Sequence, residues 1–176
     1  MISKDKAFLQ ASIPDIKAYL LSDELLWPVT ARGQELPRLT IGSALLAKAR
    51  LEATGEQIES LATDLDKIRS KWRVAWERKA GREIRMRIGL WRNYLDGYHR
   101  DPYQYAGTYR HEVKTRVMIH FLSEETTQSP PEGALLGNLD VMLKKYFVPG
   151  DFIWDVELQN SFPIDVFWFL YGTLKN

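Results

Sequence analysis

Residues 54–98 read TGEQIESLATDLDKIRSKWRVAWERKAGREIRMRIGLWRNYLDGY. A single apolar stripe runs through them: Ile58, Leu61, Leu65, Ile68, Trp72, Trp76, Ala80, Ile84, Ile88, Trp91, Leu95 and Tyr98. Every step is three or four residues, the spacing of one face of an α-helix. Thr54-Gly-Glu-Gln57 has the spacing of a capping box and marks the expected start. Asp101-Pro102 closes the stretch and opens the next helix, with Asp as N-cap and Pro at the first helical position. Tyr105, Tyr109, Val113, Val117 and Phe121 continue at helical spacing to about Glu125. Residues 55–125 are therefore expected to form a helical hairpin.

The first arm is too long for its surroundings. Residues 55–99 as one helix would span about 65 Å at 1.5 Å per residue. A compact domain of this size has a radius of gyration of only about 16 Å. Three outcomes follow: a break near Gly81 or Gly89, a protruding arm, or packing along a partner chain. Glycine inside a helix costs up to about 1 kcal/mol against Ala, which points to these two positions. The stripe also changes to a run of four-residue steps between Ile68 and Ile88.

Around the hairpin, Ser12-Ile-Pro-Asp15 reads as a helix start, with Ser12 as N-cap and Ile16, Tyr19 and Leu20 following. Residues 23–39, with Pro28, Gly33 and Pro37, read as a loop pinned by Leu25, Leu26 and Trp27. A second helix follows Thr40. Residues 126–133 (TTQSPPEG) read as a loop, and a further helix covers about 134–147. In the packing segment 149–176, FIWDVEL reads as a short strand or an extended strap. Ser161-Phe-Pro starts a last short helix to Tyr171. FPIDVFWFLYG is densely aromatic, and its expected role is to seal the core; the alternative is an exposed patch that docks on another chain. The fold class is all-α: one domain, 1–176, a helical bundle built round a long antiparallel hairpin with an aromatic C-terminal strap.

The 176 residues are 45% hydrophobic and 27% charged, the balance of an ordinary globular protein. There is no Cys, which excludes disulfides, thiol nucleophiles and thiolate metal sites. MISKDKAFLQ has no apolar core of a signal peptide. VFWFLYG is far shorter than the roughly 20 residues that cross a bilayer. The expected compartment is the cytoplasm, with no membrane partner.

The charge is segregated. Residues 67–92 hold ten Lys or Arg and only two acids, Glu77 and Glu83, a net of +8, while the remainder of the chain sums to −7. Placed at 100° per residue, Lys67, Lys71, Arg78, Arg82, Arg85 and Arg92 fall within a sector of about 80°, largely opposite the apolar stripe. They form a basic ridge of about 37 Å. The ridge has three readings. The first is pairing with the chain's own acids, among them Asp151, Asp155, Glu157 and Asp165, or plain solvation. The second is a polyanion such as a nucleic acid backbone, bound without sequence preference. The third is an acidic protein partner. Trp72, Trp76 and Trp91 lie on the apolar side and read as core rather than as stacking platforms.

Patterns for chemistry are sparse. His111-Glu112 begins a zinc-protease motif, but Thr115 stands where the second ligand would be. His99 and His111 would lie about 13 Å apart along the hairpin, too far to share a metal. His120, beside Val117 and Phe121, reads as a core histidine. The carboxylate pairs Asp64/Asp66 and Glu124/Glu125 join no acid–base constellation. Any catalytic site would be sought near the hairpin turn, at Asp96, His99, Asp101, Tyr103 and Tyr105. No pattern asks for a cofactor or a metal. The expectation is a non-enzymatic interaction or assembly module, whose partner is a protein or a second copy. Nucleic acid binding through the ridge is the alternative, and an enzyme of unidentified type stands third.

Overall fold

The computed structural model describes residues 3–31, 36–127 and 131–176. Gly33 of the 23–39 loop and residues 128–130 of the 126–133 loop lie outside the described residues. Helix α1 spans Lys4–Leu21, and Ser3 caps it by accepting from the Lys6 N–H at 3.3 Å. The expected start at Ser12 is therefore corrected. Phe8, Leu9, Ser12, Ile16, Tyr19 and Leu20 form one buried stripe, and this continuity of burial carries the helix through Pro14. Helix α2, Ile41–Ala53, begins where expected, with Thr40 and Ser43 exchanging side-chain and backbone hydrogen bonds.

The TGEQ stretch ends α2 instead of starting the next helix. Gly55 adopts φ +67°, its N–H donates to the Glu52 carbonyl, and the Glu56 N–H reaches back to the Leu51 carbonyl. This pair of bonds is a Schellman closure, which needs a residue with positive φ and so favours Gly. Helix α3, Glu59–Lys71, follows after Ile58 with no side-chain cap.

The long arm is broken, but not at the glycines. It bends at Trp72 (φ −112°, ψ 33°), which ends α3 and starts α4, Arg73–Arg100. Hydrogen bonds continue through the bend: Trp72 N–H to the Ile68 carbonyl, and Trp76 N–H to the Trp72 carbonyl, each 2.9 Å. On a straight helix each four-residue step rotates the stripe by about 40°. Five such steps would turn Ile88 away from the side that Ile68 faces. The bend resolves this, and lets α3 and α4 both pack on α1. A Cβ at Gly81 or Gly89 would meet nothing within 4 Å.

The return arm comes in three pieces rather than one: α5 Pro102–Ala106, α6 Tyr109–Glu112 and α7 Lys114–Glu124. Asp101 caps α5 as expected, accepting from the Gln104 N–H at 3.1 Å. The first interruption has a local cause. The Tyr105 carbonyl accepts from the Tyr94 hydroxyl, the Thr108 hydroxyl and the Thr108 N–H, so it is not free to continue the helix. Helix α7 lies along α4 and completes the hairpin. Helix α8 covers Gly133–Tyr146.

In the tail, the strand ends at Phe152, the first residue of the FIWDVEL stretch expected as a short strand or an extended strap. Strand β1, Phe147–Phe152, pairs antiparallel with β2, Tyr171–Leu174, in the register Phe147↔Leu174 and Val148↔Thr173. Residues 156–161 form a 3-10 turn. The expected last helix shrinks to one 3-10 turn, Trp168–Leu170, before β2. A Cβ on Gly172 would collide with the Val148 carbonyl, so this crossing requires Gly. Phe162, Phe167, Phe169 and Leu170 are buried, and the Tyr109 hydroxyl donates to the Phe169 carbonyl at 2.6 Å. The aromatic strap thus closes the core formed by the inner faces of α1, α2, α4 and α7. No helix among the described residues is long and apolar enough to cross a membrane.

Candidate functional site

The bend at Trp72 divides the basic stretch between two helices, and packing divides it again into inward and outward groups. The inward group holds the fold. Lys79, on the buried flank of α4, donates from Nζ to the Ser22 and Glu24 carbonyls at 2.7 Å each, and lies 4.5 Å from the Tyr19 ring. It supplies positive charge where α1 ends and its carbonyls lack helical partners. Arg87 and Glu83, both buried one turn apart, pair at 2.6 Å. Both Glu83 oxygens accept from the Gly42 N–H, and the Arg87 Nη2 donates to the Thr40 hydroxyl. A carboxylate therefore sits on the N-terminus of α2, where unpaired N–H groups and the helix dipole favour negative charge. Arg69 donates to Glu125 at 2.7 Å, and Glu125 also accepts from the Trp76 indole at 2.8 Å.

The six ridge residues divide differently from the sequence expectation. Lys67 lies on α3, 3.9 Å from Asp64, and Arg82 donates to the Asp23 carbonyl at 2.9 Å. Arg85 lies 3.5 Å from Glu132. Lys71, Arg78 and Arg92 are exposed and, among the described residues, make no ion pair. The ridge is not continuous, because Lys67 and Lys71 precede the bend. What remains on α4 is Arg78, Arg85 and Arg92, spaced seven residues apart, about 10.5 Å from one to the next. Two helical turns separate them, so they share one face. Gly81 and Gly89 lie between them on the same outward side, with open space where a side chain would stand.

The tail acids do not answer this face. Asp155 pairs with Arg110 on α6 at 3.0 Å, and Asp151, Glu157 and Asp165 make no ion pair among the described residues. Trp76 and Trp91 are buried, and Trp72 is half-buried beneath Lys17, 5.2 Å from its ring. None offers a free stacking surface beside the arginines.

At the hairpin turn, Asp101 is a cap, Tyr105 lies against Tyr94, and His99 Nδ1 lies 3.3 Å from the Tyr146 hydroxyl. Tyr103 points to solvent. His111 contacts Lys114, and His120 lies edge-on against Phe167 at 4.9 Å. Burial lowers the His120 pKa below its ordinary value, against the opposing pull of Glu124. A cleft of 620 Å³ opens between the N-terminus of α1, the end of α2 and the turn at 155–158. Its two arginines are already engaged: Arg110 with Asp155, and Arg50 with Asp5 at 3.9 Å and over the Trp154 ring at 4.9 Å. The Arg50 Nε is buried there without a hydrogen-bond partner among the described residues. Compared with known protein families, with curated proteins and with solved structures, the chain matches none.

Proposed function

We propose that this protein is a non-enzymatic helical interaction module that docks an anionic partner on the outward face of α4. The observation that supports this reading is the separation of the basic stretch into two populations. Arg69, Lys79 and Arg87 are committed to the fold, whereas Arg78 and Arg92 make no ion pair among the described residues. Arg78 and Arg82, one turn apart, are like charges that cost the helix a few tenths of a kcal/mol. Gly81 and Gly89 also lower helix stability without filling any internal need. Their open backbone lets a partner approach the helix closely. The lack of free aromatic faces beside the arginines favours an acidic protein surface over single-stranded nucleic acid.

The test is fluorescence anisotropy of three labelled probes: polyglutamate, a random-sequence duplex and a single strand. Each is titrated at two salt concentrations with the wild type and with Arg78→Glu/Arg92→Glu. The wild type binds at least one probe, more weakly at high salt, and the folded variant loses that binding. Equal binding by the two proteins, or none at low salt, contradicts the reading. Binding of the duplex alone would identify the partner as nucleic acid.

A further inference from the structure

We infer that the basic face of α4 seats on the acidic outer surface of the C-terminal segment of a second copy, in a head-to-tail assembly held by charge. This rests on the reading of α4 as an interaction face and names its occupant. Between Lys145 and Lys175 the chain contains no basic residue and four acids: Asp151, Asp155, Glu157 and Asp165. All four are exposed. Only Asp155 is paired among the described residues, with Arg110. Apolar side chains stand exposed among them, Val156 at 75% and Ile164 at 59%. The α4 face has the opposite sign and a similar character: Arg78, Arg85 and Arg92, with Val74 exposed at 73% one turn before Arg78.

Among the described residues no ion pair joins these acids to Arg78, Arg85 or Arg92 within one copy. Asp155 and Glu157 lie in the cleft at the C-terminal end of α2, beside Arg50 and Thr54. Helix α4 meets α2 at its other end, where Glu83 holds Gly42. Each copy therefore carries exposed cations, Arg78 and Arg92, and exposed acids, Asp151, Glu157 and Asp165, that make no ion pair among the described residues, while its net charge is only +1. Such copies attract through their faces without repelling as whole molecules. A contact between two different surfaces leaves one of each free, so it propagates into a ring or an open chain. A nucleic acid partner would satisfy α4 and leave the acidic surface facing a polyanion. A second copy satisfies both.

Sedimentation velocity over a range of protein concentrations tests this, at low salt and at about 0.5 M salt, where screening shortens to a few ångströms. The full chain is compared with Arg78→Glu/Arg92→Glu and with Asp151→Lys/Glu157→Lys/Asp165→Lys. The wild type gains mass with concentration at low salt and returns to monomer at high salt. Each variant alone stays monomeric. An equimolar mixture of the two regains association, because one variant then carries two acidic surfaces and the other two basic ones. That recovery also shows that both variants are folded. The neutral Arg78→Gln/Arg92→Gln, which introduces no repulsion, weakens association in the same direction.

A wild type that stays monomeric at low salt overturns the inference, as does association that neither variant changes. If the wild type is monomeric but Arg78→Glu/Arg92→Glu still abolishes polyanion binding, the second-copy assembly falls and the α4 reading stands. If the variant binds the anionic probes as the wild type does and association is unchanged, both fall.

Discussion

Arg87 and Arg92 stand five residues apart on the same helix, yet they do opposite things. Arg87 is buried, paired with Glu83 at 2.6 Å and bonded to Thr40 at the start of α2. Arg92 is exposed and has no ion-pair partner among the described residues. The difference shows that a run of positive charge is not one feature. Part of it is buried wiring that joins α4 to α1 and α2, and part is a surface. Only burial and partners separate the two parts, since composition treats all ten residues alike.

The largest effect should come from the wired side. Glu83→Ala leaves the Arg87 guanidinium buried without its carboxylate and the Gly42 N–H without its acceptor. It should cost about 3–5 kcal/mol, read from the midpoint of urea unfolding. Arg92→Ala should stay within about 0.5 kcal/mol, as surface changes away from special features do. Equal losses at the two positions would erase the distinction.

The glycines sharpen the same contrast at smaller scale. A Cβ on Gly42 would lie 2.6 Å from Glu83 Oε1 and 3.2 Å from Met118 Cβ. Gly42→Ala should therefore destabilise by about 1–3 kcal/mol through overpacking. Gly81→Ala and Gly89→Ala meet open space and should each stabilise the fold by about 0.5–1 kcal/mol, measured the same way. If the α4 face needs close approach, these two variants should also bind the anionic probes more weakly despite being more stable.

The apolar stripe was legible because it depends only on spacing. Trp76, Ala80, Ile84, Ile88, Trp91 and Leu95 are all buried, as their period requires. The change to four-residue steps also carried the bend, although its position did not follow from the glycines. Glycine lowers the cost of bending but does not demand a bend. The drift of the stripe demands one, and it falls at Trp72. Thr54-Gly-Glu-Gln57 was misread because it fits two motifs. A capping box and a Gly-centred helix end share residue types, and the φ of Gly55, which decides between them, is not written in the sequence. The β1–β2 pair was hidden because Phe147 and Leu174 meet only after 26 intervening residues have folded.

The basic residues were legible as a cluster but not as partners. Nothing near Lys79 in sequence indicates the end of α1, and nothing near Glu83 indicates Gly42. Those contacts are tertiary, and they removed Lys79 and Arg87 from the surface. The seven-residue spacing of Arg78, Arg85 and Arg92 was present in the sequence. It gained meaning only once the bend had detached Lys67 and Lys71 from the same axis.

The most direct test of the central claim is urea unfolding of Arg78→Glu/Arg92→Glu against the wild type at low salt. If these cations have no partner within the chain, reversing them removes no attraction, and the unfolding free energy should match the wild type within about 0.5 kcal/mol. A loss of several kcal/mol would mean that the chain's own acids hold these arginines, and the outward face of α4 would then be part of the fold and not a surface kept for a partner.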